Sequence, residues 1–299
     1  MDHFDFCLTW SWEYDQDFVN LLSAACQARN ITFLQVSRLN LPGILPSLTQ
    51  SEISFSVFLD RTEFEPDFQP VFDWAKENAC IRLNPKETAD WAEDKATMHL
   101  ELVSAGVNTP FTVILPPYHE QQYLPALDIS HLGESFVIKP GYGGGGEGVL
   151  MNATSFQEVL NRRMEFPQRK YLLQKVINPH QLETNAAWFR IIYCDGNFYP
   201  CWWSPVTHIY TPVTEEEVLR FGLDPLRTIT SQIASLSKLG FFSTEIAFTT
   251  DNQWVVIDYV NDQIDMRLKS QAVDGVPDTI VNSVCINLSA WIKRLIIAG

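Results

Sequence analysis

The chain of 299 residues is long enough to form two or three modest subdomains. Its composition, 46% hydrophobic and 19% charged, is typical of a globular protein and excludes a disordered chain. Acidic residues outnumber basic ones by 36 to 21, and the resulting net charge of -15 repels polyphosphate backbones. We therefore expect no nucleic acid among its partners.

Cysteine usage and hydropathy bear on the compartment. The six cysteines form no C-x-x-C pair and no cluster, which predicts reduced thiols and neither a zinc site nor a disulfide framework. The acidic amino terminus lacks the basic start and apolar run of a signal peptide. No stretch approaches the ~18 apolar residues of a membrane span. We expect a cytoplasmic protein with no membrane contact.

The first ninety residues alternate between strand and helix patterns. Strands are predicted at 4–10, 31–36, 54–60 and 81–83, and helices at 18–28 and 71–77. This β-α-β succession predicts a small open sheet flanked by helices. Asn84-Pro85 breaks the pattern, and we take 1–88 as an amino-terminal domain.

Two further subdomains follow, at 89–176 and 177–299. The first has a predicted helix at 94–105 closed by Gly106, strands at 111–115, 136–139, 149–152 and 171–176, and a helix at 156–163. The second is predicted to contain hairpins 188–203 and 244–260, with apolar residues at helical spacing over 226–236 and a long amphipathic helix from Asp278.

A glycine-rich loop is the most specific segment of the sequence. Six of the fourteen glycines lie within 141–148, directly after a strand that ends in Lys139. Such a loop brings backbone N–H groups close to phosphates. It is neither a Walker loop, since no Gly-Lys-Ser/Thr ends it, nor a dinucleotide fingerprint, since a strand follows. A ligand-free hairpin tip would not explain the position of Lys139.

The strand ending in Lys139-Pro140, the loop and the following Gly148-Val149 resemble the ATP-grasp superfamily. The resemblance implies an α/β fold with α+β elements, in which a pre-ATP-grasp domain (1–88) precedes two ATP-binding subdomains. It implies that Lys139 contacts the phosphates of ATP. It also implies that the loop closes over them through its central glycines, Gly143, Gly144, Gly145 and Gly146.

The resemblance extends in both directions along the chain. Upstream, Lys95 in the segment 94–97, followed by 105–110, is similar to the stretch that supplies a second nucleotide-contacting lysine. Downstream, 171–177 resembles the hinge strand whose backbone hydrogen-bonds adenine, with Gln174 where many relatives have an acid. The implied hinge residues are Gln174, Lys175 and Val176, and Glu183 is the implied ribose ligand.

Two arginines have implied catalytic roles. Arg190 matches the arginine that neutralises the transferred phosphate, although Trp188 stands where relatives have an acid. Arg267 lies where the family often holds the acceptor or the carboxylate. Arginine binds either group as a bidentate fork. The alternative for Arg190 is a pair with a surface carboxylate, and for Arg267 a structural pair with Asp262 or Asp265.

The last predicted hairpin carries an implied Mg²⁺ site. Glu245 and Asp258 are acids in apolar strands, where a carboxylate needs a cation or hydrogen bonds. Their oxygens suit Mg²⁺. Asn261 would be the third ligand, but it follows Asp258 at one residue more than the family spacing. Strict alternation turns it to the opposite face unless a bulge restores it. Otherwise Asp262 or Asp265 could substitute.

These features predict an ATP- and Mg²⁺-dependent ligase that joins a small-molecule carboxylate to an amine or similar nucleophile. Three alternatives remain open: a phosphotransferase of the same fold, a noncatalytic nucleotide-binding module, and an enzyme that adds an amino acid to a protein partner. The sequence does not identify the acid or the nucleophile. It also leaves a homodimer open, since related ligases are often dimers.

Overall fold

The structure, a computed structural model, describes residues 2–125 and 127–298. Its amino-terminal part is a parallel sheet with strand order β2-β1-β3-β4. The elements are β1 (Asp2–Trp10), α1 (Gln16–Gln27), β2 (Phe33–Val36), α2 (Leu41–Thr49), β3 (Ile53–Arg61), α3 (Gln69–Glu77) and β4 (Ile81–Leu83). Side chains alternate across β1: Phe6 and Leu8 pack with α1, whereas Cys7 packs with α2 and α3.

The central part is an antiparallel sheet with strand order β5-β8-β6-β7. Its elements are α4 (Lys86–Glu93), α5 (Lys95–Ser104), β5 (Thr112–Leu115), β6 (Phe136–Pro140), β7 (Leu150–Ala153), α6 (Phe156–Glu165) and β8 (Tyr171–Lys175). Asp94 is the N-cap of α5: its side chain accepts a hydrogen bond from the Ala96 N–H, and the helix begins at Lys95.

The carboxy-terminal part contains a five-stranded antiparallel sheet with strand order β13-β12-β11-β14-β15. Its elements are β9 (Gln181–Leu182), β10 (Asn185–Ala186), β11 (Trp188–Cys194), β12 (Asn197–Trp203), β13 (Tyr210–Pro212), α7 (Glu215–Phe221), α8 (Asp224–Ser237), β14 (Phe241–Phe248), β15 (Trp254–Asn261) and α9 (Asp278–Ala298). The central sheet contacts this one directly, since the Gln174 side chain of β8 donates to the Tyr259 hydroxyl of β15 at 2.7 Å.

The predicted strands and helices are confirmed, with ends that shift by a few residues, whereas the short strands β9, β10 and β13 and three α-helices were missed. Helix α2 contains Pro42, Gly43 and Pro46, which disfavour a helix when read from sequence. Helix α4 begins directly after Pro85, so the predicted boundary is a strand-to-helix connection. Helix α7 is short and starts with a capping box at Thr214.

Helix α9 corrects the expectation about apolar stretches, because it is long and apolar enough to cross a membrane by length and composition. Its inner face, including Val281, Val284 and Leu288, is buried. That face shares one core with α1 and with Phe6 and Leu8 of β1. The helix thus packs as a core helix that joins the end of the described chain to the amino-terminal sheet.

Candidate active site

Three neighbouring strands bring oppositely charged side chains onto one face of the carboxy-terminal sheet. Arg190 of β11 pairs in register with Glu245 of β14, and Glu245 pairs with Asp258 of β15. Residues directly opposite in an antiparallel ladder share a face. The three side chains therefore project together, as the predicted phosphate and metal groups must.

A β-bulge in β15 brings Asn261 to the same face. The ladder pairs Glu245 with Asp258 but Ser243 with Asn261, so three residue steps on β15 oppose two on β14. The extra residue shifts the alternation of side chains beyond Asp258. The condition that the sequence set for Asn261 is met, although its role as a ligand stays a prediction.

Two lysines reach this face from the central part. Lys139, at the end of β6, is 7% exposed and donates to the Ile257 carbonyl of β15 at 3.0 Å. Its ammonium also lies 5.2 Å from the centre of the Tyr259 ring. Lys95, at the start of α5, lies 3.9 Å from Asp258 Oδ1. Both predicted nucleotide lysines thus join the charged cluster.

Arg190 and Glu245 are held by each other and by neutral neighbours. The guanidinium donates to Glu245 Oε1 at 3.2 Å and to Ser243 Oγ at 3.1 and 3.2 Å. The Trp188 indole N–H donates to Glu245 Oε2 at 2.9 Å. Both oxygens of Glu245 are therefore hydrogen-bonded, and Trp188, which departs from the family pattern, has a partner in the cluster. The ring of Trp203 lies 5.0 Å below Arg190.

The local charges shift several pKa values in opposite directions. Burial lowers the pKa of Lys139 to about 8, an effect that Asp258 opposes and Lys95 increases. Burial also acts to raise the pKa of Asp258, but Lys95 and Lys139 outweigh it, so that the pKa falls below its ordinary value. In Glu245, burial and the charge of Asp258 raise the pKa against the effect of Arg190. Asp258 is thus the acid most firmly held in its charged form.

The donor set fits a magnesium ion. Asp258 Oδ1 is buried and has no hydrogen-bond partner among residues 2–125 and 127–298, with the Lys95 ammonium 3.9 Å away. Asn261 would have to bind a metal through its amide oxygen, because its amide nitrogen is a hydrogen-bond donor. A buried carboxylate oxygen without a partner is costly, and a cation would offset that cost. No group of three or more His, Cys, Asp or Glu in the described chain could hold a metal by itself. Asn261 and phosphate oxygens would have to complete the coordination, as is usual for Mg²⁺.

The acids named as substitutes are engaged elsewhere. Asp262 accepts a hydrogen bond from Asn84 at 2.7 Å, and burial together with Glu93 raises its pKa to about 7. One oxygen of Asp262 is therefore already occupied by the Asn84 amide. Asp265 forms an ion pair with Arg267 at 2.6 Å. These contacts favour Asp258 and Asn261 over the substitutes.

The glycine loop lies beside Lys95. The Lys95 ammonium donates to the Gly143 carbonyl at 2.8 Å. Gly143, Gly145 and Gly146 have positive φ angles of 119°, 61° and 78°, which only glycine adopts without strain. An added Cβ at Gly144, Gly145 or Gly146 would meet nothing within 4 Å, so the tip is open to solvent. The loop is therefore positioned next to the charged cluster, and its tip is exposed.

The implied adenine hinge is partly engaged in the fold. The Gln174 side chain is 3% exposed and donates to Thr112 Oγ1 at 2.9 Å, so it faces the interior. The Lys175 N–H donates to the Phe111 carbonyl at 2.9 Å. Val176 follows directly after β8 ends. The hinge roles of Gln174, Lys175 and Val176 stay predictions, and Val176 lies just beyond the sheet.

Glu183 and Arg267 lie outside the cluster. Glu183 is exposed in the turn between β9 and β10 and pairs with Arg220 at 2.7 Å, and its ribose role stays a prediction. Arg267 pairs with Asp265 at 2.6 Å and with Asp274 at 3.0 Å. The structural pairing of Arg267 with Asp265 that the sequence left open is therefore present, whereas the pairing with Asp262 is not found in the described chain.

Three supporting residues were not predicted from the sequence. Ser243 and Trp203 contact Arg190, and Trp188 contacts Glu245. Ser243 and Trp203 carry no motif, and only the strand register reveals their position. A signal existed for Trp188, because it lies two residues before Arg190 and therefore on the same strand face.

Comparison with known proteins supports the fold. No protein-family model matches the chain, and no curated protein matches its sequence. Solved structures do match along nearly the whole chain. A RimK domain ATP-grasp protein from Sphaerobacter thermophilus is 18% identical with a TM-score of 0.64, covering 96% of this chain and 98% of that one.

Two ATP-grasp ligases are similarly close. D-alanine–D-alanine ligase from Bacillus anthracis, complexed with ATP, is 12% identical with a TM-score of 0.66, covering 99% and 98%. The ligase PsnB, complexed with a minimal precursor, Mg and ADP, is 12% identical with a TM-score of 0.63, covering 98% of each chain. The mixed sheets, the glycine loop and these matches agree, and the chain has the ATP-grasp fold.

Proposed function

We propose that the protein is an ATP- and Mg²⁺-dependent ligase that activates a carboxylate as an acyl phosphate and joins it to an amine. One observation carries the proposal: Lys95, Lys139 and Arg190 converge on the face that bears Asp258 and Asn261. Phosphoryl transfer depends on positioning and charge neutralisation more than on covalent help from a protein. Such a face, beside a glycine loop, is suited to that task.

The proposed reaction has two steps. The substrate carboxylate attacks the γ-phosphorus of ATP, and ADP leaves. The amine nitrogen then attacks the carbonyl carbon, phosphate leaves, and the proton of the amine passes to solvent. Acid, amine and ATP thus give amide, ADP and phosphate.

Residues of the chain would contribute charge and orientation. Lys95 and Lys139 would bind nucleotide phosphates, and Arg190, oriented by Ser243, would neutralise charge that develops during transfer. Asp258 and Asn261 would hold Mg²⁺, which when bound neutralises phosphate oxygens. The glycine loop would exclude water.

The test is a screen of carboxylic acids, each with and without an amine, for Mg²⁺-dependent ADP release. Hydroxylamine intercepts acyl phosphates as hydroxamates, so we expect acid-dependent hydroxamate when it replaces the amine. A stable phosphorylated product with no amide would indicate a phosphotransferase instead. Tight ATP binding without ADP release across the panel would indicate a noncatalytic module.

Asp258→Asn tests the metal assignment, because it removes the charge and preserves size. We expect ATP affinity to change by less than about 1 kcal/mol, since the lysines remain, and the rate to fall at least ~10²-fold. Calorimetric titration of Mg²⁺ into the nucleotide-bound protein should show weakened binding. Asn261→Ala should cost a comparable amount, because the bulge turns it to the same face.

Asp251→Asn is the matched control. Asp251 is exposed in the turn of the same hairpin, so its loss should change neither Mg²⁺ affinity nor rate. Undiminished turnover and Mg²⁺ binding in Asp258→Asn would overturn the metal assignment.

A further inference from the structure

A cleft of about 660 Å³ opens at the carboxyl edge of the amino-terminal sheet. Residues from 11–15 and 61–66, which follow β1 and β3, line it together with Arg38, Gln263 and Asp265. Ligands of parallel sheets bind in the crevice outside the carboxyl ends of the strands. The volume also lies within the ~300–1,000 Å³ of small-molecule sites. The cleft therefore has the position and size of a small-molecule site.

The cleft adjoins the charged cluster. Asp265 lines the cleft and pairs with Arg267 at 2.6 Å. Gln263, which also lines the cleft, follows Asn261 of the cluster by only two residues. On the proposed function, a substrate in the cleft would lie on the side of the cluster where β15 ends.

The charges of the lining do not cancel. Five acids and two arginines line the cleft: Glu13, Asp15, Glu63, Glu65, Asp265, Arg38 and Arg61. Arg61 is neutralised by Asp15 at 2.7 Å, and Arg38 by Glu65 at 2.8 Å.

Glu13 and Glu63 are the acids left over. Both are exposed, and neither has an ion-pair partner among the residues that the structure describes. They lie on two neighbouring segments of the lining, after β1 and after β3. Both therefore add uncompensated negative charge to the cleft, which favours a cation. An anionic ligand would instead meet only arginines of the lining that already form ion pairs.

Apolar surface lies beside these acids. Trp12 is 41% exposed, and the central carbon of the Arg267 guanidinium lies 5.5 Å from the centre of its ring. Phe64 and Pro66 also line the cleft. Long basic side chains bury a methylene stem against such surfaces while the charged end reaches a carboxylate. The lining thus offers both an apolar wall and unpaired negative charge.

We propose that the substrate held in this cleft is a small molecule that carries a positive charge in addition to its reacting group, such as a basic amino acid or a diamine. This inference rests on the proposed function for the reaction, but its binding chemistry rests on the cleft alone. Glu13 and Glu63 are its specificity-determining residues.

The test is calorimetric titration of charge-matched probes, with and without a non-hydrolysable ATP analogue. The pairs are lysine against norleucine and 1,5-diaminopentane against pentylamine, with glutamate as the anionic probe. We expect the more cationic member of each pair to bind more tightly and glutamate not to bind. Affinity should fall as salt rises, because exposed charges are screened.

Single variants test the contribution of each acid to cation binding. Glu13→Gln and Glu63→Gln should each weaken lysine binding roughly tenfold, the scale of one charge-assisted contact, and leave norleucine unaffected. Glu134→Gln, an exposed acid of the central part, is the control and should change nothing. Thermal unfolding verifies that each variant is folded.

The outcomes separate this inference from the proposed function. Equal binding of lysine and norleucine, no binding of either cation at millimolar concentration, or full affinity in both glutamine variants would overturn the inference. Tight binding of cations with no turnover on any acid would refute the proposed ligase activity and leave the inference about the cleft intact. Turnover that favours neutral or acidic amines would support the proposed ligase activity and refute the inference that the cleft selects a cationic substrate.

Discussion

At the scale of single residues, the site is defined by which polar atoms have partners. Both oxygens of Glu245 accept hydrogen bonds, from Arg190 and Trp188, whereas Asp258 Oδ1 has none in the described chain. Acids in apolar strands could be selected from the sequence. Which of them is free could not, because that depends on neighbours brought in by β11 and by α5.

A buried histidine beneath the cluster gives a residue-scale prediction. His99 Nδ1 lies 2.8 Å from the Tyr259 hydroxyl, and burial, helped by Lys139, lowers its pKa from 6.5 to about 4. As pH falls from 6.5 to 4 the unfolded chain takes up a proton that the folded chain does not, so stability is lost with acidification. The full loss is about 3 kcal/mol.

The measurement compares the unfolding free energy of the parent and of His99→Gln in urea across that pH range. Glutamine can hydrogen-bond with Tyr259 and does not titrate. We expect the parent to lose stability more steeply between pH 6.5 and 4, and the two slopes to agree above pH 7. Parallel curves over the whole range would show that His99 titrates normally in the fold.

At the scale of elements, patterns predicted the strands well and the local irregularities poorly. The extra residue between Asp258 and Asn261 was visible in the sequence, but only the β14–β15 ladder shows that a bulge absorbs it. The proline-containing α2 was missed because its stability comes from packing of Leu41 and Leu48 on the sheet and not from local propensity.

The glycine loop gives the prediction at this scale. Residues 144–147 are exposed, and the tip is tied by turn bonds such as Glu147 N–H to the Gly144 carbonyl at 3.1 Å. We expect fast amide hydrogen exchange at Gly144, Gly145 and Gly146 in the free protein and protection with an ATP analogue, since closure must order flexible glycines. Exchange in β6, which precedes the loop, serves as the internal control. Equal protection in both states would indicate a structural turn.

At the scale of the whole molecule, contacts between distant segments hold the site together. Lys139 of the central sheet donates a hydrogen bond to the Ile257 carbonyl of β15, and α9 packs against the core of the amino-terminal sheet. The order of most strands and helices could be predicted from patterns along the chain. The contacts between them could not, because they join residues more than a hundred positions apart with no pattern in common.

The buried pair Arg61–Asp15 is the clearest such contact and gives the last prediction. Arg61 donates to both Asp15 oxygens at 2.7 and 2.8 Å and to the Ile264 carbonyl at 2.9 Å, and both side chains are 3% exposed. Asp15→Asn leaves a buried, uncompensated guanidinium and should cost about 3–5 kcal/mol of unfolding free energy. The double variant Asp15→Leu, Arg61→Met should cost less, because it buries no unpaired charge.

The neighbouring exposed pair supplies the control. Arg38 and Glu65 meet at 2.8 Å with Arg38 62% exposed, so Arg38→Met should cost far less than Asp15→Asn. Urea unfolding of the four proteins, parent included, measures the comparison. If Asp15→Asn costs no more than Arg38→Met, Arg61 finds solvent or another partner when Asp15 is neutralised. Other contacts than this pair would then fix the segment after β15 to the amino-terminal sheet. The part of the cleft that carries Asp265 would be held by the main chain and by α9.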